Sequence, residues 1–289
     1  MPALPPTLEG VDHRDVEAGG VRFHVAEAGE GPPIVLLHGW PQHWWVWRKL
    51  IPDLARDHRV ICPDMRGFGW SDAPAGDYAK ETLAEDLVAI LDALELDRVR
   101  LVGHDWGGFA SFLACLLAPE RFEGLVAMNI VHPWFKPPKP TPKAVALASY
   151  QFVLATPGLG ERTLRNTPLV KTIIRRGSHP GHTWTDAELS TYADVFKDPA
   201  HAKASSALYR TFLRRELGQL SKGYYDDRRL TVPTVLLTGS ADPVVTPERI
   251  ATLPAHADDA RVEVIPDCGH FSAEEQPEKV LAIVRAHLG

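Results

Sequence analysis

The chain is poor in cysteine, in long apolar runs and in net charge, and each shortage narrows its class. Its three cysteines, Cys62, Cys115 and Cys268, are odd in number and far apart, which is typical of reduced thiols rather than a disulfide framework. The N-terminal stretch has neither the basic nor the apolar region of a signal peptide. No apolar run approaches the roughly 18 residues that span a bilayer. We therefore expect a cytoplasmic protein without a membrane segment.

Charge is nearly balanced, with 31 lysines and arginines against 37 aspartates and glutamates and a formal net charge of -6. No basic cluster is present, so we expect neither nucleic acid nor an anionic membrane as a partner. His179 and His182 have no further ligand residues beside them, which is typical of a solvated loop rather than a metal site. Gly67 and Gly69 lack the spacing of a nucleotide-binding loop. We expect no metal and no cofactor, and nothing in the sequence indicates a homo-oligomer.

Short apolar stretches alternate with helical patterns over much of the 289 residues. Strands that are apolar throughout and alternate with helices are typical of a parallel sheet covered on both faces, so we expect an α/β fold. The predicted strands span residues 13–17, 21–27, 34–37, 59–62, 99–102, 125–131, 234–238 and 261–265. The predicted core helices lie within residues 44–55, 80–94, 109–117, 247–253 and 277–287.

The alternation stops between residues 133 and 230, where no convincing buried strand occurs. This segment begins with a proline-rich run that suits a connector rather than a helix or strand. Helical patterns follow at residues 145–155, 186–196 and 201–217. We therefore predict a core formed by residues 1–132 and 231–289, with a helical cap of residues 133–230 inserted into it.

One motif, G-H-D-W-G-G at residues 103–108, lies between a predicted strand and a predicted helix. Strand, small residue, nucleophile, small residue and helix form the pattern of a nucleophile elbow. Gly103 and Gly107 allow the sharp turn, since a Cβ at either position would collide with neighbouring elements. The residue at the tip is Asp105, and its carboxylate is ionised at pH 7. An aspartate can displace a leaving group from a saturated carbon and form an ester, so we predict that Asp105 is a covalent nucleophile.

Two further residues follow later strands in the order nucleophile, acid, histidine. Asp242 comes just after the strand at 234–238, and His270 comes just after the strand at 261–265. The carboxyl ends of parallel strands meet at one edge of the sheet, so both should lie near Asp105. We predict that His270 is the base and that Asp242 orients it. Asp258, Asp259 and Asp267 are rival carboxylates. We rank Asp267 below Asp242, because it is too near His270 in sequence to come from a separate strand end.

Hydrolysis of an ester on Asp105 places negative charge on the carbonyl oxygen of that residue, which backbone N–H groups should stabilise. The usual donors are the residue after the nucleophile and one in the loop after the third strand. These positions correspond to Trp106 and Trp40. The second lies in the loop H-G-W-P, where His38, Gly39 and Pro41 are the supporting residues.

These motifs resemble those of epoxide hydrolases with the α/β-hydrolase fold. The resemblance covers H-G-W-P at 38–41, D-M-R-G-F-G-W-S-D at 64–72, the 103–108 motif, and the segments that hold Asp242 and His270. It implies a mostly parallel eight-stranded sheet flanked by helices, with an inserted helical cap. It also implies that two cap tyrosines, Tyr150 and Tyr209, hold and protonate the epoxide oxygen. The expected reaction converts a small-molecule epoxide and water into a vicinal diol.

The core motifs are also similar to those of haloalkane and haloacid dehalogenases, which use an aspartate at the same place. A phenol with a pKa near 10 can protonate the alkoxide that an opened epoxide leaves, whereas a halide leaves without a proton. The two tyrosines therefore favour the epoxide, while the Trp106 indole N–H keeps the dehalogenase alternative open. A non-catalytic ligand-binding protein with the same fold is a third, more remote alternative.

Overall fold

In the computed structural model of the chain, which describes residues 4–137 and 142–289, eight strands form one sheet. The strands are β1 (Asp12–Ala18), β2 (Val21–Ala28), β3 (Pro33–Leu37), β4 (Arg59–Pro63), β5 (Val99–His104), β6 (Phe122–Met128), β7 (Thr234–Gly239) and β8 (Ala260–Ile265). They lie in the order β1-β2-β4-β3-β5-β6-β7-β8. β2 is antiparallel to β1 and β4, and the remaining pairs are parallel. The predicted α/β class and the mostly parallel eight-stranded sheet are confirmed.

Helices flank this sheet and explain why its inner strands are apolar throughout. They are α1 (Ile51–Leu54), α2 (Lys80–Ala93), α3 (Asp105–Leu117), α4 (Pro142–Ala155), α5 (Leu159–Asn166), α6 (Leu169–Gly177), α7 (Asp186–Ala193), α8 (Pro199–Thr211), α9 (Leu217–Ser221), α10 (Pro247–Ile250), α11 (Ser272–Glu275) and α12 (Pro277–Leu288). Central strands such as β7 are buried at every residue, because both of their faces are covered. None of the described helices is long and apolar enough to cross a membrane.

Several predicted boundaries were wrong for local reasons. The helix predicted within residues 44–55 is two pieces, a 3-10 turn over Trp44–Trp47 and then α1, because Pro52 lacks an N–H and suits only the first turn of a helix. β6 lies three residues earlier than predicted, because the chain leaves the sheet at Asn129, whose φ is 52°.

The segment between β6 and β7 contains α4 to α9, and no strand occurs in the described part of it. The sequence had indicated three helical patterns there and had missed α5 and α6. The pattern at 201–217 is α8 followed by a π-helical turn, Phe212–Glu216, which leads into α9. The division into a core and a cap of residues 133–230 stays a prediction, and residues 138–141 of that span lie outside the described residues. We use "cap segment" for residues 133–230.

A buried carboxylate at the end of β4 fixes the loop that follows β3. Asp64 is fully buried and accepts hydrogen bonds from His24 Nδ1 at 2.8 Å, the Trp44 N–H at 2.8 Å and the Trp70 N–H at 3.1 Å. Gly69 has a φ of 53°, and a Cβ there would lie 2.0 Å from Asp64 Oδ2. Because these donors come from three separate segments, one carboxylate holds together the loops beside the catalytic edge of the sheet.

Replacing Asp64 with asparagine should destabilise the fold by about 3–5 kcal/mol, because it removes the charge from a buried, hydrogen-bonded group. Burial alone would raise the pKa of Asp64, but the His24 hydrogen bond and neighbouring histidines lower it from 3.8 to about 2. The carboxylate therefore stabilises the folded state above about pH 4 and loses this contribution as the pH falls toward 2. Urea denaturation between pH 3 and pH 7 would measure both effects.

The matched control is Asp72→Asn. Its carboxylate pairs with Arg22 at the surface and is 50% exposed, so its loss should cost under about 1 kcal/mol. Equal unfolding free energies for the two variants would contradict the role given to Asp64.

Candidate active site

Asp105 lies at the turn where β5 ends and α3 begins. Its φ of 48° is in the left-handed region, which aspartate adopts only under constraint. A Cβ on Gly103 would lie 2.4 Å from Ser111 Oγ, and one on Gly107 would lie 2.0 Å from the His38 carbonyl oxygen. The glycines therefore permit the sharp turn that the motif predicts. Helix α3 begins at Asp105 itself, four residues earlier than predicted.

The loop after β3 lies directly against Asp105. The Trp40 N–H donates to Asp105 Oδ1 at 2.9 Å, and a Cβ on Gly39 would lie 2.4 Å from Asp105 Cβ. Trp106 is the second residue of α3, so its N–H is among the first-turn groups that have no partner within the helix. This placement brings the two predicted oxyanion donors to the nucleophile, and their catalytic role stays a prediction.

The supporting residues of this loop differ in what they contact. His38 Nε2 accepts a hydrogen bond from the Met65 N–H at 3.0 Å, so its imidazole joins the loop to the chain after β4. Pro41 follows Trp40 through a cis peptide bond. Neither side chain is shown in contact with Asp105, so both belong to the frame of the loop.

The structure joins His270 to Asp242 and brings it to Asp105. His270 Nδ1 lies 2.9 Å from Asp242 Oδ2, and His270 Nε2 lies 3.5 Å from Asp105 Oδ2. The other oxygen of Asp242 accepts the N–H groups of Val244 and Val245 at 2.8 and 2.9 Å. The imidazole is thus held between two carboxylates, as the chain order predicts. Of the rivals, Asp267 is exposed and makes no described contact with the imidazole.

The two neighbouring carboxylates affect the pKa of His270 more than its burial does. Burial would lower the pKa of His270, but the carboxylates of Asp242 and Asp105 outweigh it and raise the pKa to about 10. Burial would raise the pKa of Asp242, but His270 and the hydrogen bonds to this carboxyl hold it below its ordinary value. At neutral pH the resting site therefore holds an imidazolium between its two carboxylates.

Tyr150 on α4 and Tyr209 on α8 lie together above the loop after β3. Their ring centroids are 5.8 Å apart, and the centroid of the Trp40 ring lies 6.0 Å from Tyr150 and 5.2 Å from Tyr209. Burial raises the pKa of both hydroxyls, that of Tyr209 well above 10. Both therefore remain protonated at neutral pH and can donate. The Tyr150 hydroxyl also accepts a hydrogen bond from Gln151 Nε2 at 3.4 Å.

Sequence reasoning missed Asn129, which follows β6 and donates a hydrogen bond to Asp242. Its Nδ2 donates to Asp242 Oδ2 at 3.0 Å and to the Gly269 carbonyl oxygen at 3.1 Å, and its own amide oxygen accepts from Ser272 Oγ. The rule that carboxyl strand ends converge would have indicated it, had the end of β6 been predicted three residues earlier.

Glu275 was also missed, and it holds the loop that carries the histidine. Its carboxylate accepts backbone N–H groups from His179, Gly269 and Phe271 at 2.8, 2.7 and 2.9 Å. The His270 N–H in turn donates to the Gly177 carbonyl oxygen at 2.8 Å. The cap segment is therefore hydrogen-bonded directly to the loop that holds His270. No short sequence motif marks this arrangement, because the donors come from two distant parts of the chain.

Asp105→Asn should lower the pKa of His270 below 10, because one of the two carboxylates that favour the imidazolium becomes neutral. NMR titration of ¹⁵N-labelled histidine would measure the shift. Asp267→Asn is the matched control, since this neighbouring carboxylate is exposed, and it should leave the titration unchanged. An unaltered pKa of His270 in Asp105→Asn would show that Asp105 and His270 do not interact.

Comparisons with known proteins identify the family of this chain. A family model described as the alpha/beta hydrolase fold matches residues 32–277. The chain is 29% identical to a soluble epoxide hydrolase of Corynebacterium sp. (strain C12), over 94% of this chain and 95% of that protein. A solved structure of the epoxide hydrolase CorEH superimposes with a TM-score of 0.84 at 27% identity, covering 96% and 98% of the two chains.

A Salmonella enterica structure that carries the provisional name of an acyltransferase has a TM-score of 0.90 at 29% identity, covering 99% of this chain and 97% of its own. Relatives that share this fold thus carry names from more than one reaction class. The family match over most of the sequence shows that this chain belongs to the α/β-hydrolase fold family, and its resemblance to the epoxide hydrolases of that family is confirmed.

Proposed function

We propose that this protein hydrolyses epoxides to vicinal diols through an ester on Asp105. The observation that carries the proposal is the position of Trp40 between Asp105 and the two tyrosines. Its N–H bonds the Asp105 carboxylate, while its ring contacts both Tyr150 and Tyr209. A carboxylate and two protonated phenols therefore lie around one side chain, close to each other as the opening of an epoxide requires.

In the first step Asp105 attacks an epoxide carbon, and a new C–O bond forms as the ring C–O bond breaks. Tyr150 and Tyr209 hold the ring oxygen, and one of them gives it a proton. The product is a hydroxyalkyl ester on Asp105 together with a tyrosinate. The imidazolium of His270 then supplies a proton to that tyrosinate by way of solvent, so both groups become neutral.

Ester formation itself prepares the base for the second step. Esterification removes the negative charge of Asp105, so one cause of the raised pKa of His270 disappears. The neutral imidazole, oriented by Asp242, takes a proton from water as that water attacks the ester carbonyl. The N–H groups of Trp40 and Trp106 stabilise the oxyanion. Collapse breaks the bond between the carbonyl carbon of Asp105 and the alkoxide oxygen. The alkoxide takes the proton of the new carboxylic acid and leaves as the diol, so Asp105 is again a carboxylate and His270 an imidazolium.

The alternatives fit the site less well. An acyl transfer would use a serine or cysteine at the elbow, and position 105 is aspartate. A dehalogenase would share Asp105, Asp242 and His270 but would not need two buried, protonated phenols. A binding protein would not need a nucleophile, base and acid in contact. The proposed partners are a small epoxide and water, and we propose that the protein acts in the cytoplasm.

A single turnover in H₂¹⁸O tests the covalent route, with excess enzyme and styrene oxide. The first diol should contain an unlabelled oxygen from Asp105, because the water attacks the ester carbonyl and not the epoxide. Mass spectrometry of the diol would measure the label. Solvent label in the first product would show direct attack by water.

His270→Gln should stop the second step and leave the ester in place, because no base remains for the water. Intact-protein mass spectrometry should then show a mass increase equal to one epoxide. Asp105→Asn is the control and should show no adduct. Diol release at the wild-type rate by His270→Gln would contradict the role of the base.

Replacing both phenols, Tyr150→Phe with Tyr209→Phe, should lower kcat/KM for styrene oxide by roughly 10²–10⁴-fold, because no acid remains for the alkoxide. Tyr224→Phe, at a side chain that is 48% exposed, should have no effect. Halide release from a haloalkane should be measured in parallel. If the wild type releases halide and forms no diol, the protein is a dehalogenase.

A further inference from the structure

A buried ion pair joins helix α2 to the cap segment close to Tyr209. Lys80 Nζ lies 2.6 Å from Glu216 Oε2, and the two side chains are 1% and 8% exposed. Burial lowers the pKa of the Lys80 ammonium, and the Glu216 carboxylate opposes that effect. A buried pair of this kind is weak evidence for stability, because desolvating two charges offsets much of their attraction. Its position in the molecule therefore needs another explanation.

The Glu216 carboxylate also caps α2 from outside that helix. Lys80 is the first residue of α2, and its N–H donates to Glu216 Oε1 at 2.7 Å. Ala79, at the N-cap position, offers no side-chain acceptor. One carboxylate thus binds both the ammonium and the first N–H of the helix, so the cap segment and α2 are held in a single register.

A local irregularity aims Glu216 at the core. The turn Phe212–Glu216 is π-helical and directly continues α8, the helix that carries Tyr209. A π-turn takes up one extra residue, and each residue of an α-helix turns the chain by about 100°. Glu216 is therefore rotated by about that angle from its direction in an unbroken helix. π-turns occur often at functional sites, and this one starts three residues after Tyr209.

Lys80 also contacts Trp106 and the residue that precedes Tyr209. Its Nζ lies 4.3 Å from the Trp106 ring centroid and 3.5 Å from the Leu208 carbonyl oxygen, next to Tyr209. Phe212 packs beside both groups, with its ring centroid 4.8 Å from that of Trp106 and 5.2 Å from Lys80 Nζ. The ammonium thus lies at the junction of α2, α8 and the elbow.

We propose that Lys80 and Glu216 are positioning residues that hold Tyr209 in the geometry of epoxide opening. This inference rests on the proposed function. It assigns the pair to the first step, because the groups of the second step, Asp242 and His270, are held by Asn129 and Glu275, with no described contact to either Lys80 or Glu216.

The test separates the two chemical steps in Lys80→Met, Glu216→Gln and the double variant, by quench-flow with styrene oxide. The rate of ester formation should fall about 10–100-fold in all three, since a small misplacement of the acid is enough to cause such a loss. The rate of ester hydrolysis should stay within about twofold of the wild type. Its base and acid lie elsewhere, and Lys80 contacts the ring of Trp106, whereas the Trp106 N–H is placed by the first turn of α3.

The double variant keeps the test decisive if the single variants fold poorly. It leaves no buried charge without its partner, so the unfolding free energy should recover. A structural role alone predicts that ester formation recovers with it, and that result would overturn the proposal. The matched control is Asp86→Asn, which removes the carboxylate of another largely buried pair on α2, with Arg66. It should destabilise the fold and leave ester formation unchanged.

A readout without turnover separates failure of this inference from failure of the proposed function. The emission of Trp106, taken as the difference between each protein and its Trp106→Phe counterpart, should change when Lys80→Met removes the ammonium from its ring. An unchanged difference spectrum would refute the placement of Lys80. Absence of diol formation by the wild type would refute the proposed function, and the fluorescence would still decide whether Lys80 lies on Trp106.

Discussion

The structure depends on the charge of Asp105, an aspartate held with a positive φ at the start of a helix. That charge is matched by the Trp40 N–H on one side and by the imidazolium of His270 on the other. A resting site of this kind is stable because the imidazolium lies between two carboxylates. In the proposed reaction, forming an ester on Asp105 would remove one of those charges and leave a histidine that can act as a base.

The surrounding framework serves to keep these groups in contact. Asp64 joins β2, the turn at Trp44 and the loop at Trp70, while Asn129 supports Asp242 and Glu275 joins the histidine loop to the cap segment. On the opposite side, Lys80 and Glu216 join α2 to the helix of Tyr209. Each of these is a charged or amide group whose hydrogen bonds join pieces of the chain that are distant in sequence, so together they hold the site in one arrangement.

The sequence was most informative where chemistry and backbone geometry require particular residues. Gly103 and Gly107 marked the elbow because no Cβ fits there, and the order of Asp105, Asp242 and His270 followed from the ends of apolar strands. It was least informative in the cap segment. There α5 and α6 are short helices without a long apolar period, and the sequence does not show where a π-turn interrupts α8.

By itself, therefore, the sequence determined the class of fold and indicated Asp105, Asp242 and His270 as the candidate catalytic residues, because these depend on local patterns and on strand order. Only the tertiary structure decided other contacts: Asn129 on Asp242, the Trp40 ring against both tyrosines, and the pair of Lys80 and Glu216, which lie 136 residues apart. Contacts of that kind arise when helices pack on a sheet, and neither composition nor spacing along the chain encodes them.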